Sequence, residues 1–319
     1  MMSNTVLIAG AGQLGSRYLQ GLVKCSSPLS IWVSDPSSAS LALADERWRE
    51  AGGTESKHSL QLINSMATLP KTVGLAIVAT NANVRADVVE AIASRSKVRF
   101  WVLEKVLAQS QNDLDRLMNS TAGSEAAWVN IPRRTMPWYQ ELAGRISHQS
   151  PTEVHIYGGN WGLACNSVHL LDLGAYLLKE ALVSIDASGL NCNWHTSKRA
   201  GFFEVNGILR AQFSGGKWVT LKCMETDENM AIEVKTSEGL WQINEGNGEA
   251  VAPDGQSFSG RLEYQSEMTA RLVETILNTG GCELPTLDQA VVLHRPFLNA
   301  LITHWNQSQN RVDTKLPIT

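Results

Sequence analysis

The chain has 319 residues, 43% of them hydrophobic and 18% charged, and its formal net charge at pH 7 is −4. This length predicts about two domains, and a slightly acidic chain without long runs of like charge does not favour a nucleic-acid or anionic-membrane partner. The five cysteines are scattered and form no Cys-x-x-Cys pair, which argues against a disulfide framework or a structural zinc site. The N-terminus lacks the features of a signal peptide, and no apolar run reaches the ~18 residues of a membrane span. We therefore expect a soluble cytoplasmic protein with no metal site.

Strand-like and helix-like segments alternate over the first 130 residues. Short apolar runs rich in Val and Ile lie at 5–10, 29–34, 73–80, 99–104 and 126–130. Such runs are typical of strands that are covered on both faces. Helical patterns fall between them, near 14–24, 38–50, 84–95 and 110–120. This alternation predicts an α/β domain with a doubly wound parallel sheet.

The pattern changes after about residue 130. Helices near 134–148 and 166–180 flank the strand-like EVHIYGGNW, a mostly strand-forming stretch covers 186–243, and helical patterns at 261–279 and 286–308 close the chain. Turn-like triplets at 214–216 and 237–239 predict consecutive hairpins and hence a largely antiparallel sheet. We predict a Rossmann domain over residues 1–125 and an α+β domain with a large open sheet over 126–319. We expect the last helix to pack back on the Rossmann domain.

A glycine-rich loop follows the first apolar run. Gly10, Gly12 and Gly15 form G-x-G-x-x-G ahead of an amphipathic helix, with Gln13 and Leu14 in the same loop. In a dinucleotide site the first glycine permits the tight turn, the second lets the backbone approach a pyrophosphate, and the third lets the helix pack on the strand. The helix N-terminus then offers free N–H groups to the phosphates. We take all five residues as candidate cofactor contacts.

An acidic residue stands where such a site needs one. Asp35 follows Gly15 by 20 residues, and a carboxylate at this distance accepts hydrogen bonds from the adenosine ribose hydroxyls. Alternatively, Asp35 starts the turn before Pro36, and the two roles are compatible. A carboxylate repels a 2′-phosphate and positions 36–38 hold no arginine, so we expect NAD rather than NADP as cofactor.

Several later segments resemble those of the Gfo/Idh/MocA oxidoreductases, named for glucose–fructose oxidoreductase and inositol dehydrogenase. They are ATNANVRADVVEAI at 79–92, LEKV at 103–106, VNIPRR at 129–134 and the C-terminal TLDQAVVLHRPFLNALI. The resemblance extends over nearly the whole chain. It implies a Rossmann domain followed by an α/β domain with a large open sheet, and substrates that are sugars, cyclitols or their derivatives.

Two motifs in the first half match the family in part. The family's Glu-Lys-Pro reads Glu104-Lys105-Val106, so the lysine is kept and the proline is lost. Because that proline is often cis, its loss predicts a different local backbone. The family's Thr-Pro-x-x-x-His begins with Thr80 and Asn81 and ends with Arg85 in place of the histidine.

The family's third motif, Asp-x-x-x-His followed by x-x-Asp, lies on a predicted helix. His169 matches the catalytic histidine and Asp172 the trailing aspartate, whereas Cys165 replaces the leading aspartate. On a helix these three residues share a face with Tyr176. Alternatively, His169 and Asp172 satisfy each other within a core, since polar groups on an otherwise apolar helix need a partner.

The resemblance implies hydride transfer between nicotinamide and a secondary alcohol or ketone. His169 would be the base, since neutral imidazole is available near its unperturbed pKa of about 6.5. Lys105 would polarise the substrate oxygen and help to place the nicotinamide. Asp172 would orient His169 or bind a substrate hydroxyl. Further implied cofactor contacts are Thr80, Asn81, Glu104 and Lys105.

Other residues are candidates for substrate binding besides Lys105 and His169. Arg133 and Arg134 suit the anionic group of a phosphorylated, nucleotide-linked or acidic sugar, or they are surface residues at a helix start. Asn160 and Trp161 lie in the GGNWG loop before the histidine helix, and Asn166 lies within that helix.

Two other functions stay open. The altered motifs are compatible with a catalytically silent dinucleotide-binding sensor or regulatory protein. In a third possibility the reaction runs in the reverse direction, and Lys105 and His169 deliver a proton during reduction of an imine or a 3-keto sugar. By analogy with the family, we expect a homodimer or homotetramer.

Overall fold

The computed structural model describes residues 4–319, which form two compact units. The first unit comprises residues up to Ala108, Asn112–Asn130 and Glu263–Asp288, and the second comprises Gln109–Gln111, Ile131–Leu262 and Gln289–Thr319. The α-helices in chain order are α1 (Gln13–Leu22), α2 (Ser38–Glu50), α3 (Ala82–Ala93), α4 (Gln111–Thr121), α5 (Pro137–Ser147), α6 (Leu163–Leu178), α7 (Gln265–Thr279) and α8 (Leu287–Gln309). None of the helices in the described residues has both the length and the apolar character that a membrane span requires.

The first unit is built on a six-stranded sheet in the order β3-β2-β1-β4-β5-β6. Its strands are β1 (Thr5–Ala9), β2 (Ser30–Ser34), β3 (Ser59–Ile63), β4 (Thr72–Val78), β5 (Lys97–Leu103) and β6 (Ala126–Val129). Every neighbouring pair is parallel, which confirms the predicted doubly wound sheet. The strand order reverses between β1 and β4, and ligands of such sheets bind outside the carboxyl ends of the strands at this point.

One strand of this sheet was not predicted. β3 reads SLQLI and alternates polar and apolar residues, whereas the other strands are near-continuous apolar runs. It pairs only with β2 at the edge of the sheet, so its residues are exposed or half-buried. An edge strand needs less apolar surface than a central one, and its pattern is weaker for that reason.

In the sequence, the first unit includes residues before and after the main segment of the second unit, Ile131–Leu262. It includes β6, which the sequence-based division at residue 125 placed in the second domain, and it includes α7. α7 packs on α1 so closely that a Cβ added to Gly21 would lie 2.7 Å from the carbonyl oxygen of Ser266 and from Cβ of Thr269. Val273 and Ile276 of α7 are fully buried in the core of this unit.

The second unit is built on an eight-stranded sheet in the order β14-β13-β12-β11-β7-β10-β9-β8. Its strands are β7 (Glu153–Gly159), β8 (Leu182–Thr196), β9 (Phe203–Phe213), β10 (Lys217–Met224), β11 (Ala231–Thr236), β12 (Gly239–Asn244), β13 (Glu249–Val251) and β14 (Ser257–Ser259). All neighbours are antiparallel except β7 and β10. The largely antiparallel sheet is thus confirmed, with hairpins at both predicted turns.

One helix, α6, places several of the candidate site residues on this sheet. α6 packs against β9 and β10, and Gly174 allows close approach because a Cβ there would lie 2.5 Å from Cγ2 of Val219. The apolar side of α6 is buried, with Leu170, Leu171 and Leu173 almost inaccessible to solvent. Its remaining polar residues are therefore held at fixed positions.

We expect Gly21→Ala to destabilise the protein by about 1–3 kcal/mol, because the added methyl group forces α7 away from α1. This loss outweighs the roughly 1 kcal/mol that Ala gains over Gly within a helix. The measurement is urea unfolding followed by circular dichroism. Gly144→Ala is the matched control, since no heavy atom of the described residues lies within 4 Å of its Cβ position in α5. A Gly21→Ala protein with the same free energy of unfolding as the wild type would contradict this account of the packing.

Candidate functional site

The glycine loop lies between β1 and α1, at the carboxyl edge of the first sheet. A Cβ on Gly10, whose φ is +95°, would lie 3.1 Å from the Ala79 carbonyl, and a Cβ on Gly15 would lie 1.8 Å from the carbonyl oxygen of Gly10. Packing within the unit therefore requires both glycines. Gly12 differs, because no heavy atom of the described residues beyond its chain neighbours lies within 4 Å of its Cβ position. This residue borders open space at the start of α1.

The first turn of α1 is left open to a ligand. Gly12 is its N-cap, and within residues 4–319 no side chain caps this end of the helix. The first turn also contains no acidic residue. N–H groups at a helix N-terminus are a favourable site for an anion.

Asp35 connects the glycine loop with the turn after β2. Its Oδ2 accepts a hydrogen bond from the backbone N–H of Ala11 at 2.7 Å, and its Oδ1 accepts one from Ser37 at 2.8 Å. The turn-forming role considered from the sequence is therefore present. Each carboxylate oxygen can accept a second hydrogen bond, so these contacts leave acceptor capacity for a ligand.

Arg85 connects the segment that follows β4 with the segment that follows β5. Its side chain lies on α3 and is only 1% exposed. The guanidinium donates to the carbonyl oxygens of Thr80 and Val106, and to that of Leu107 at 3.0 Å. It thus fixes the segment after β4 against the segment that holds Lys105. The Lys105–Val106 peptide bond is cis, so the change that we expected from the loss of proline is not seen at this bond.

Thr80 presents a buried polar atom in the same region. Its Oγ1 is inaccessible to solvent and has no hydrogen-bond partner among the described residues. Thr80 also touches the glycine loop, since its Cγ2 lies 3.2 Å from the Cβ position of Gly10. A buried hydroxyl without a partner is unfavourable unless a ligand or water supplies one.

Glu104 is held inside the first unit, with only 3% of its surface exposed. Its Oε1 accepts hydrogen bonds from the Tyr18 hydroxyl at 2.6 Å and from the Asn130 amide at 2.7 Å. Burial raises the pKa of Glu104, although these two donors and the charge of Arg85 oppose the shift. The carboxylate was a candidate cofactor contact, and the structure places it in this internal network beside the half-buried Lys105.

The second unit contains a cavity of about 330 Å³. Its lining residues are Arg133, Trp161, Asn166, His169, Leu170 and Met230. The first four are substrate-binding candidates from the sequence, and the structure brings them together within this unit. Leu170 and Met230 carry no sequence signal of a site, since an apolar residue in a cavity wall looks like any core residue.

Contacts around the start of α6 fix the cavity wall. The Asn166 amide donates to the Trp161 carbonyl at 2.7 Å, and the Trp161 indole donates to the Lys222 carbonyl at 3.1 Å. Glu204 of β9 accepts the backbone N–H of Ala164 at 2.8 Å. Burial raises the pKa of Glu204, and hydrogen bonds that include the Cys165 thiol oppose this shift. A buried carboxylate therefore lies beside Cys165, and no sequence motif indicates this pairing.

Three other candidate residues of the second unit, Asp172, Arg134 and Asn160, have partners outside the cavity. Asp172 is 1% exposed and accepts two hydrogen bonds from Arg134, at 2.6 Å and 2.9 Å. Burial raises the pKa of Asp172 to about 6, and the charge and hydrogen bonds of Arg134 oppose this rise. Asn160 is exposed, and its amide donates to the Thr226 carbonyl at 3.0 Å. These three residues are not among those that line the cavity.

Arg133 differs from Arg134 in that it lines the cavity. Its Nε and Nη2 donate to the two carboxylate oxygens of Glu245 at 2.6 Å and 2.8 Å. The Tyr139 hydroxyl donates to the same carboxylate at 2.5 Å. Burial raises the pKa of Glu245, but the hydrogen bonds and charge of Arg133 outweigh burial and lower it below its ordinary value. The ion pair is therefore fully charged at neutral pH.

We expect Arg134→Gln to destabilise the protein by about 3–5 kcal/mol at pH 8, because it leaves the Asp172 carboxylate buried without a counter-ion. Removing Arg134 should also raise the pKa of Asp172 above its value of about 6. Urea unfolding of the wild type and the variant at pH 8 and pH 5 measures both effects.

The loss in the free energy of unfolding that Arg134→Gln causes should be smaller at pH 5 than at pH 8. The folded protein holds the Asp172 proton more tightly than the unfolded chain does, so the free energy of unfolding falls as pH rises from about 4 through the folded pKa. At pH 5 the variant buries a neutral carboxyl group instead of a charge. Arg145→Gln, which breaks an exposed pair with Glu141, is the control and should have little effect at either pH. A loss that does not depend on pH would contradict the ion-pair account.

No protein-family model matches the chain, and no curated protein matches it in sequence. Solved structures match over nearly the whole chain. An oxidoreductase from Agrobacterium radiobacter in complex with NAD+, L-tartaric acid and magnesium has a TM-score of 0.73 at 13% identity, covering 95% of this chain and 96% of that one. The apo scyllo-inositol dehydrogenase from Lactobacillus casei has a TM-score of 0.70 at 14% identity, covering 97% of each chain.

A third similar structure is the super-repressor mutant of Gal80p from Saccharomyces cerevisiae, with a TM-score of 0.73 at 13% identity and coverage of 95% of this chain and 98% of that one. At such identities the likeness establishes the fold. The chain thus has the fold of the inositol and sugar dehydrogenases of the Gfo/Idh/MocA type, as the resemblance in sequence implies.

Proposed function

We propose that this chain is an NAD-dependent oxidoreductase that transfers a hydride between nicotinamide and a secondary alcohol or ketone of a sugar, cyclitol or sugar derivative. The observation that carries the proposal is that His169 lines a cavity together with Arg133 and Asn166, in a chain whose other unit has an open glycine loop at a helix N-terminus. Two of the similar structures described above are an oxidoreductase with NAD+ and a scyllo-inositol dehydrogenase, and this supports the same class of reaction.

The residues of the first unit fit NAD. The uncapped start of α1 and the open space at Gly12 suit a pyrophosphate. The buried Thr80 hydroxyl needs a hydrogen-bond partner that a bound ligand would provide. Asp35 keeps acceptor capacity for ribose hydroxyls, and its negative charge disfavours a 2′-phosphate. When bound, the nicotinamide supplies the hydride acceptor or donor.

The chain's own residues handle the proton and the substrate. His169 takes the hydroxyl proton during oxidation and returns it during reduction. Because Nδ1 of His169 is buried, we assign the proton transfer to Nε2. Lys105 stabilises the negative charge that develops on the substrate oxygen, while Asn166 and Trp161 contact the sugar. Asp172 acts through its ion pair with Arg134, as a positioning residue for α6.

A second function, a catalytically silent dinucleotide-binding regulator, is favoured by two observations. One of the similar structures is Gal80p in a mutant form described as a super-repressor, so a protein with this fold can have a regulatory phenotype. Cys165 also replaces the leading aspartate of the family's histidine motif. A regulator of this kind would bind NADH but would not turn over any sugar.

Lys105→Ala and His169→Ala should each lower the rate of NAD reduction by about 100-fold or more, because they remove the charge stabilisation and the base. Their affinity for NADH, measured by NADH fluorescence, should stay close to that of the wild type. The turnover assay is NAD reduction with a panel of polyols and sugars, and exposed His148→Ala serves as control. Full activity of His169→Ala would remove the proposed base, and NADH binding without turnover of any substrate would favour the regulator.

Gly12→Val should fold normally and lose at least about tenfold in NADH affinity, because its side chain fills the open space at the start of α1. Gly15→Ala should instead lose stability, since its Cβ would overlap the Gly10 carbonyl. Thermal unfolding and NADH fluorescence titration separate the two effects. Wild-type NADH affinity in a folded Gly12→Val protein would place the cofactor elsewhere.

A further inference from the structure

The charge of the cavity in the second unit depends on one residue pair. Of the six described residues that line the cavity, Arg133 alone carries a permanent charge. A guanidinium without a counter-ion would make the cavity a binding site for phosphate or carboxylate groups, because arginine binds both through paired hydrogen bonds. The class of substrate therefore depends on whether Arg133 is compensated.

Glu245 compensates Arg133 within the protein. Both carboxylate oxygens bind the guanidinium, through Nε and Nη2, and the side chains of Arg133 and Glu245 are only 14% and 7% exposed. The Tyr139 hydroxyl donates a further hydrogen bond to Oε1 of the same carboxylate. This geometry occupies one of the two guanidinium edges that can make paired bonds to an anion, and the negative charge of Glu245 lies against the whole group.

An anion that approached Arg133 would also approach Glu245. The attraction and the repulsion would largely cancel, while the anion would still lose its hydration on entering the cavity. A hydroxyl group loses much less on leaving water, and Nη1, the guanidinium nitrogen that Glu245 does not bind, can donate to it. The Asn166 amide and the His169 imidazole, which line the same cavity, suit hydroxyl groups as well.

On these grounds we propose that Glu245 determines the specificity of this cavity. By neutralising Arg133 it selects uncharged sugars or polyols and rejects their phosphorylated and carboxylated counterparts. This inference rests on the proposed function, since it concerns the substrate of that same reaction. It replaces the expectation from the sequence that Arg133 binds an anionic group of the substrate.

Glu245→Gln tests the inference, because it removes the negative charge and keeps the size of the side chain. The charge of Arg133 then faces the cavity without compensation. We expect inorganic phosphate to bind the variant at least about tenfold more tightly than the wild type at equal ionic strength. Isothermal titration calorimetry gives the affinity, and the rise in melting temperature with phosphate provides a second readout.

Glu141→Gln is the matched control. It makes the same substitution on α5 and releases Arg145, whose pair with Glu141 is exposed and does not line the cavity. This variant should bind phosphate no better than the wild type. Titration with glucose and glucuronate in the presence of NADH extends the comparison to sugars, and only Glu245→Gln should gain affinity for glucuronate relative to glucose.

The inference would be overturned if Glu245→Gln bound phosphate no more tightly than the wild type. If Glu245→Gln does not fold, Glu245→Asp replaces it, because the shorter carboxylate cannot reach both guanidinium nitrogens and should allow intermediate phosphate binding. No gain there would overturn the inference equally. Phosphate binding requires no turnover, so a failure of the proposed dehydrogenase activity and a failure of this inference give different results.

Discussion

A guanidinium group keeps its charge when it leaves water, so a buried arginine must be surrounded by hydrogen-bond acceptors. Three arginines of this chain donate to such acceptors, and each fixes part of a candidate site. Arg85 holds the segments after β4 and β5 through their carbonyl oxygens. Arg134 holds α6 through Asp172, and Arg133, which is paired with Glu245, forms part of the cavity wall.

One of these arginines links two positions at which the chain differs from the family's motifs. Arg85 stands where the family has histidine, and it binds the carbonyl of Val106, which stands where the family has proline. The two departures are therefore in direct contact. A similar pairing occurs at α6, where Cys165 has replaced an aspartate and the carboxylate of Glu204 lies beside it. In both places the second residue of the pair is distant in sequence.

The sequence predicted elements whose signal is local. Apolar runs revealed the central strands of the first sheet, and turn residues revealed the hairpins of the second. β3 was missed because an edge strand is only partly apolar, and β13 and β14 were missed because segments of three residues show no periodicity. The motifs likewise led to Arg133 and His169, which the structure brings to one cavity.

The charge of that cavity, by contrast, was not predictable. Arg133 and Glu245 come from distant parts of the chain, and nothing near either residue indicates that they are partners. A motif identifies a residue type at a position, whereas the electrostatic state of that residue depends on contacts formed only in the folded protein.

α7 belongs to the first unit, although it follows most of the second unit in the sequence. The first unit can therefore finish folding only late in synthesis. α1 is made at the beginning of the chain, but the surface that it presents at Gly21 is covered only after residues 265–279 have been made. The bridge between Trp128 of β6 and Thr286 likewise forms only after Thr286 has been synthesised. The N-terminal part of the chain therefore leaves the ribosome with an apolar face uncovered, and it depends on the second unit being translated before its own core can close.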